Sequence, residues 1–288
     1  MLEIILYGLC ESLITLIFAL GFHIIFGLGN VVLLSYGAFC VFGLYVTATL
    51  FKMGCLVLFS VMGGLFFALL LSFLFSHFLV SRIQGVLLNE AVVSIAALML
   101  IVEALRMTYG TAPFTFPVLL GQEVISLKGS VFQLSRLLAI PAILLIWLGV
   151  WLFLRFSRLG RGIRAMAQNR ESALLMGISP PKIVDAIVAV GISVAFIGGL
   201  IHLSFVNLSP EMGNHVLLLS LFAVILGGLG SLRGAALASF VLGFSQVLTI
   251  VTLGARYKLL IPLIMTFLII IFRPSGLFGI QSKLEERL

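Results

Sequence analysis

Five ionisable side chains interrupt long apolar runs in this chain: Glu11, His23, Glu90, Glu103 and His202. A charge in hydrocarbon is costly, so each is first a candidate for a proton relay, an ion-coupling site or a contact with a polar solute. Glu11, Glu90 and Glu103 lie within about two turns of the end of an apolar run, from which a side chain reaches the membrane interface. His23 and His202 can stay neutral if a neighbouring carbonyl accepts their ring proton. Glu90 and Glu103 are separated by thirteen positions. That spacing puts them about 220° apart on a helix, so they cannot jointly line one narrow path. Hydrolytic chemistry is poorly served. The one Ser-Gly pair, Ser275-Gly276, follows Pro274 and lacks the G-x-S-G of an intramembrane serine protease, Asp185 is the single aspartate, and no histidine precedes a glutamate. No lysine follows a glycine, which excludes a Walker-type phosphate loop and with it ATP hydrolysis at such a site on this chain. Cys10, Cys40 and Cys55 show no C-x-x-C spacing and read as small apolar side chains rather than metal ligands or disulfide partners.

The longest polar interruption, Arg155 to Asp185, holds six cations (Arg155, Arg158, Arg161, Arg164, Arg170 and Lys182) against two acids, Glu171 and Asp185. Within it Ile163, Met166 and Ala167 fall on one helical face and Arg161, Arg164 and Gln168 on the other. Gly177 gives a helix stop, Ser179 an N-cap candidate, and Pro180-Pro181 a helix start. The stretch is therefore expected to form two short helices, a turn, and a return into the membrane.

The elements that must position these residues are membrane helices. Of 288 residues, 62% are hydrophobic and 9% charged, with a mean hydropathy of +1.30. Uncharged runs near twenty residues recur along the chain, as in a polytopic helical membrane protein. The net charge of +7 does not point to nucleic acid, because the cations sit at segment ends and in one loop rather than on a basic face. The first run, Ile4 to Leu28, follows Met1-Leu2-Glu3, which is acidic where a signal peptide needs positive charge, so it is expected to remain as a span. Further spans are expected over Val31–Leu50, Cys55–Val80, Val86–Leu105, Leu137–Leu154, Ala186–Val206, Val216–Leu226, Ala235–Leu253 and Leu259–Phe272. These make eight to nine segments of an all-α bundle forming one transmembrane domain over residues 1–288, with the segment near Gly227 broken or re-entrant. With the Arg155–Asp185 loop in the cytoplasm, eleven of the seventeen cations fall inside, the N-terminus outside and the C-terminus inside. In the glycine-rich run, Gly227, Gly228, Gly230 and Gly234 permit close helix approach, with Gly230, Gly234 and Ala238 four apart on one face. That packing reading is preferred over a broken helix facing a substrate.

Glu171-Ser172-Ala173 followed by Gly177 has the spacing E-A-A-x-x-x-G with serine at the middle alanine, and so resembles the cytoplasmic loop by which ABC-importer permeases dock into their ATPase. Three stretches occur in order: G-R-G-I-R-A-M-A-Q-N-R-E-S-A-L-L-M-G-I-S (Gly160 to Ser179), G-G-L-G-S-L-R-G-A (Gly227 to Ala235) and R-P-S-G-L-F-G (Arg273 to Gly279). The series resembles the branched-chain amino acid permease family of ABC importers. The likeness covers the C-terminal half best. The family's I-N-F-A-H-G-like segment corresponds to V-L-L-S-Y-G (Val32 to Gly37), which keeps the glycine but places Leu33 and Tyr36 at the Asn and His positions. The resemblance implies a multi-pass subunit of the bacterial inner membrane that works with a like or identical second permease, cytoplasmic ATP-binding subunits and an extracytoplasmic solute-binding protein. ATP would bind the partner subunits, with no cofactor or metal on this chain. Arg161, Arg164, Glu171, Ser172, Ala173 and Gly177 would form the coupling loop. Gly227, Gly228, Gly230, Gly234, Glu90 and His202 would serve helix packing or the translocation path. The implied solute is a small polar molecule, a branched-chain or other amino acid. A stand-alone ion-coupled transporter, and an ABC permease for urea, amides or sugars, are the alternatives.

Overall fold

The computed structural model describes the chain except for residues 1, 84–85, 115–123, 128–129, 178, 274 and 279–288, and gives backbone alone at 2, 81, 124–127, 130–132, 170 and 171. Long apolar segments with no water to bond their peptide groups satisfy them internally, as helices. In chain order these are α1 (Leu2–Phe22), running on into a π-helical turn (His23–Leu28), α2 (Tyr36–Lys52) and α3 (Val57–Phe75). A second π-helical turn (Ser76–Val80) and the one-turn α4 (Ser81–Ile83) lead to α5 (Leu87–Tyr109). A β-hairpin, β1 (Val124–Leu127) paired antiparallel with β2 (Ser130–Gln133), precedes α6 (Leu134–Phe156). The short α7 (Arg158–Gln168) and α8 (Arg170–Leu175) follow, then α9 (Pro180–His202), α10 (Met212–Gly227), α11 (Leu232–Leu253) and α12 (Leu260–Phe272). Among the described residues, seven helical segments are long and apolar enough to cross a membrane, and two shorter apolar helices, α2 and α10, lie between them. The architecture is the expected polytopic helical bundle.

Burial decides the arrangement. α1 is enclosed along most of its length, packed by α9, α10, α11 and α6, while α3, α5, α6 and α12 turn Leu, Phe, Val and Ile outward. Between hydrocarbon tails and leucine there is no hydrophobic gain, so close fit and small residues hold such helices together. At the α1–α11 contact, a Cβ on Gly243 would overlap the backbone of Ser12, and one on Gly8 would meet the Phe244 ring. Ser12 Oγ donates across the same contact to the Phe240 carbonyl at 3.1 Å. Gly37 of α2 lies against the backbone of Gly213 in α10, and so explains the glycine retained in V-L-L-S-Y-G.

One expectation is corrected. The break does not lie near Gly227, where α10 and α11 are ordinary helices joined by a tight turn. The unwound stretch covers residues 29–35: the sequence breaks the first run over Gly27–Asn30, but hydropathy assigned Val31 onward to a span. The stretch is non-helical; Asn30 is exposed, but Val31, Leu33 and Ser35 are fully enclosed. Unwound backbone at such depth persists only if protein satisfies its polar groups. Val31 N donates to the Ile25 carbonyl at 3.4 Å and Tyr36 N to the Leu33 carbonyl at 3.2 Å. Val32 N donates to Glu90 Oε2 at 3.0 Å, and Ser94 Oγ donates to the Val32 carbonyl at 3.1 Å. Two positions one helical turn apart on α5 thus clamp one residue of the break.

Two outcomes test this packing. Glu90→Ala leaves the Val32 amide without its acceptor, at a cost of about 1–3 kcal/mol, whereas Glu90→Gln keeps an amide oxygen and most of the stability. Gly243→Val forces the α1–α11 contact apart at a cost of about 1–3 kcal/mol. The exposed Gly149→Val, where an added Cβ meets nothing, stays near wild type. Thermal unfolding midpoints in detergent measure all four.

Candidate coupling and translocation site

The polar loop becomes two capped helices standing outside the spans. Ser157, extended at φ −72° and ψ 156°, ends α6 and caps α7, its Oγ accepting from Gly160 N at 2.8 Å. Asn169, also extended, ends α7 and caps α8, its Oδ1 accepting from Ser172 N at 3.0 Å. Each polar cap satisfies an amide that a helix start leaves open. α7 lies against the end of the bundle with Ile163 fully buried, and a Cβ on Gly162 would touch Ile183 of α9. Its opposite face carries Arg161 and Arg164, as the periodicity required. These two cations do more than face solvent. Arg161 Nη1 donates to the Phe156 carbonyl at 3.1 Å and Arg164 Nη2 to the Arg155 carbonyl at 3.0 Å. They bind the last turn of α6, where a helix dipole favours cations.

In α8, Ala173 is buried and Ser172 exposed; Glu171 occupies the first turn, but its side chain lies outside the described residues. The helix ends at Leu175, and Gly177 turns the chain at φ +79°, a conformation L side chains avoid. Pro180 then opens α9 at its first position, while Ser179 makes no side-chain cap bond. Between them sits a feature that the sequence reading passed over. Leu174, Leu175 and Met176 are 48%, 90% and 80% exposed, an apolar tip on a segment that belongs to no span. The signal was present as an uncharged L-L-M directly after E-S-A, but only the way α8 meets the bundle leaves all three exposed.

The two later motifs form one unit at the same end. α10 stops at Gly227, and Gly228 (φ +98°) and Gly230 (φ +83°) make the turn before Ser231 caps α11 by accepting from Gly234 N at 3.1 Å. The orphan carbonyls of α10 are met by the segment after α12: Leu277 N donates to Leu226 O at 2.9 Å and Phe278 N to Gly227 O at 3.0 Å. A Cβ on Gly234 would collide with Gly227, and one on Gly276 would meet Gly228 at 2.7 Å. The close approach is therefore Gly227 to Gly234. Gly230 lies in the turn rather than on the α11 face with Gly234 and Ala238, because the helix begins only at Leu232.

The ionisable residues do not converge. Glu90 is 4% exposed and engaged with the break, at the end of the bundle that carries α7. At the opposite end Glu11 pairs with Lys258 at 3.2 Å. His202 is buried there between the rings of Phe18 and Phe205, at centroid distances of 5.9 and 5.6 Å. Gln246 Nε2 donates to Thr15 Oγ1 at 3.3 Å nearby, and Arg136 lies over Tyr7 at 4.4 Å and Phe205 at 5.2 Å. Glu103 pairs with Arg106, which also reaches Glu211, all at the rim. Leu33 and Tyr36 are fully buried, with Tyr36 Oη donating to the Phe18 carbonyl at 2.9 Å, so these two positions are core within this chain. Among the described residues no group of three or more His, Cys, Asp or Glu is placed to hold a metal ion.

Comparison with known proteins agrees with this organisation. The high-affinity branched-chain amino acid transport system permease protein BraD of Pseudomonas aeruginosa is 29% identical over 155 residues, 54% of this chain and 50% of that protein. LivH of Escherichia coli K12, a permease protein of the same description, is 29% identical over 133 residues, 46% of this chain and 43% of that one. The probable branched-chain amino acid transport permease protein LivH of Methanocaldococcus jannaschii is 26% identical over 154 residues. The match thus spans about half the length of these relatives. The solved structure of PsaBC from Streptococcus pneumoniae in complex with Fab shares the fold, with a TM-score of 0.56 at 12% identity over 97% of this chain and 94% of that one. The family described as branched-chain amino acid transport system / permease component matches residues 4–270, and this multi-pass membrane chain belongs to it.

Proposed function

We propose that this chain is the translocation subunit of an ABC importer for a small zwitterionic solute, a branched-chain or other amino acid, driven by ATP hydrolysis on separate subunits. The observation that carries this reading is the exposed apolar tip of α8. A short helix outside the spans, capped at its start, closed by a positive-φ glycine and presenting Leu174, Leu175 and Met176, is suited to seat in a cleft of another protein. Because α7 and α8 are continuous with α6 and α9, a push on that tip reaches two spans directly. ATP binding would draw two ATPases together beneath a pair of permeases, tilt α6 and α9, and switch the path between its outward and inward states. The solute would arrive on an extracytoplasmic binding protein. A wall with few fixed charges suits a zwitterion, whose own charges cancel. The α7–α8 end faces the cytoplasm of a bacterial inner membrane in this reading, with the first residues outside.

Leu175→Asp and Gly177→Val are expected to leave the protein in the membrane. ATPase capture should fall at least tenfold for Leu175→Asp, and transport should uncouple from hydrolysis for Gly177→Val. Co-purification and uptake in reconstituted vesicles read the two effects, and wild-type behaviour in both variants rejects the coupling assignment. Orientation has a separate test. Cys10 and Cys40 are buried and Cys55, between α2 and α3, is exposed. A membrane-impermeant maleimide should therefore label intact cells at Cys55 from outside, with Cys55→Ser abolishing the signal. Labelling only after the membrane is opened would reverse the topology.

A further inference from the structure

A cavity of about 590 Å³ opens between α6, α7 and α11 at the end of the bundle that carries α7. Arg155, Arg164 and Arg233 come to it from three different helices, and no acidic side chain lines it. None of the three arginines pairs with a carboxylate among the described residues. The remaining wall is apolar and aromatic, including Trp147, Trp151 and Leu237.

The charge and the apolar wall are ordered along the membrane normal. On α6, Trp147, Trp151 and Arg155 recur every four residues, so they stack on one face over about 12 Å. Arg155 ends the series at the helix terminus, with its guanidinium 5.0 Å from the Trp151 ring. α11 repeats the order in the opposite chain direction, with Arg233 in its first turn and Leu237 one turn deeper. Both walls therefore run from cationic at the rim to apolar within. Trp151 and Leu237 are also exposed, so the cavity is open beside them. Trp147 adds a polar demand: its Nε1–H is buried without an acceptor among the described residues.

We propose that this cavity binds an anionic phospholipid, its phosphate held by Arg155, Arg164 and Arg233 and an acyl chain lying along Trp147, Trp151 and Leu237. Basic pockets between spanning helices at an interface favour such headgroups, and guanidinium groups suit phosphate oxygens. The phosphate chemistry is shared with free anions, but only a lipid uses the apolar depth.

The chain's two tryptophans are these two residues, so its indole fluorescence reports on the cavity alone. The full chain is reconstituted into phosphatidylcholine vesicles containing increasing fractions of brominated phosphatidylglycerol or brominated phosphatidylcholine. Half-maximal quenching is expected at a roughly tenfold lower mole fraction of the anionic lipid, a difference of about 1.4 kcal/mol. Arg155→Gln, Arg164→Gln and Arg233→Gln together should bring the two curves into coincidence. Removing three cations elsewhere, Arg82→Gln, Arg158→Gln and Arg256→Gln, should leave them apart. The single variant Ala236→Phe, which fills the cavity without touching its charge or adding an indole, should also abolish the preference, and it covers the case in which the triple variant fails to fold. Coincident curves for the wild type, or equal loss in the two triple variants, overturn the proposal. So does reversal of phosphatidylglycerol quenching by millimolar inorganic phosphate, which would assign the arginines to a free anion instead.

Discussion

A peptide group in hydrocarbon has no water to turn to, and every irregular point in this bundle is shaped by that fact. Where α1 and α2 part, buried backbone between Gly29 and Ser35 survives because Glu90 and Ser94 supply the acceptor and donor that Val32 needs. Where α10 ends, the amides of Leu277 and Phe278 meet its last carbonyls. Where α6 ends, Arg161 and Arg164 do the same from α7. Three different chemistries — a carboxylate, a returning strand of backbone and a pair of guanidiniums — answer one requirement. A membrane protein has few polar residues to distribute, so several at this end of the bundle are engaged by backbone.

This view changes what an intramembrane charge means in this chain. Glu90 and Glu11 both invite a functional reading from hydropathy alone. In the fold Glu90 completes a break in another helix, and Glu11 is matched by Lys258 beside the buried ring of His202. Lys258 lies in the turn between α11 and α12, so one ion pair ties the first span to the beginning of the last. A charged pair at that depth holds the two together because separating them strands an unpaired ion.

Much of the architecture was legible in the sequence because it rests on local rules. Apolar run length gave the spans, Gly177 and Pro180 gave the turn from α8 into α9, and the phase of Ile163 against Arg161 and Arg164 gave α7. What stayed hidden depends on distant partners. Nothing local to Val32 reveals that α5 will hold an unwound segment, so residues 31–35 read as the start of an ordinary span. Gly230, Gly234 and Ala238 share a spacing but not a helix, because Ser231 starts α11 after the first of them. The cap on α10 joins residues some fifty positions apart, Leu226 and Leu277, and no periodicity encodes it. The exposure of Leu174, Leu175 and Met176 likewise follows only from how α8 meets the bundle. Sequence marked the α7–α8 segment without showing its exposed face.

The return of the segment after α12 onto α10 has a consequence for biogenesis. Residues 276–278 are synthesised after all the helices of the bundle, yet they complete a helix made about fifty residues earlier. Until they emerge, the end of α10 keeps its carbonyls turned to water, and the glycine turn before α11 is free to shift. Assembly at this end of the bundle is therefore locked last. A chain that stops within α12 would carry the earlier helices but leave the α10–α11 corner without the amides of Leu277 and Phe278.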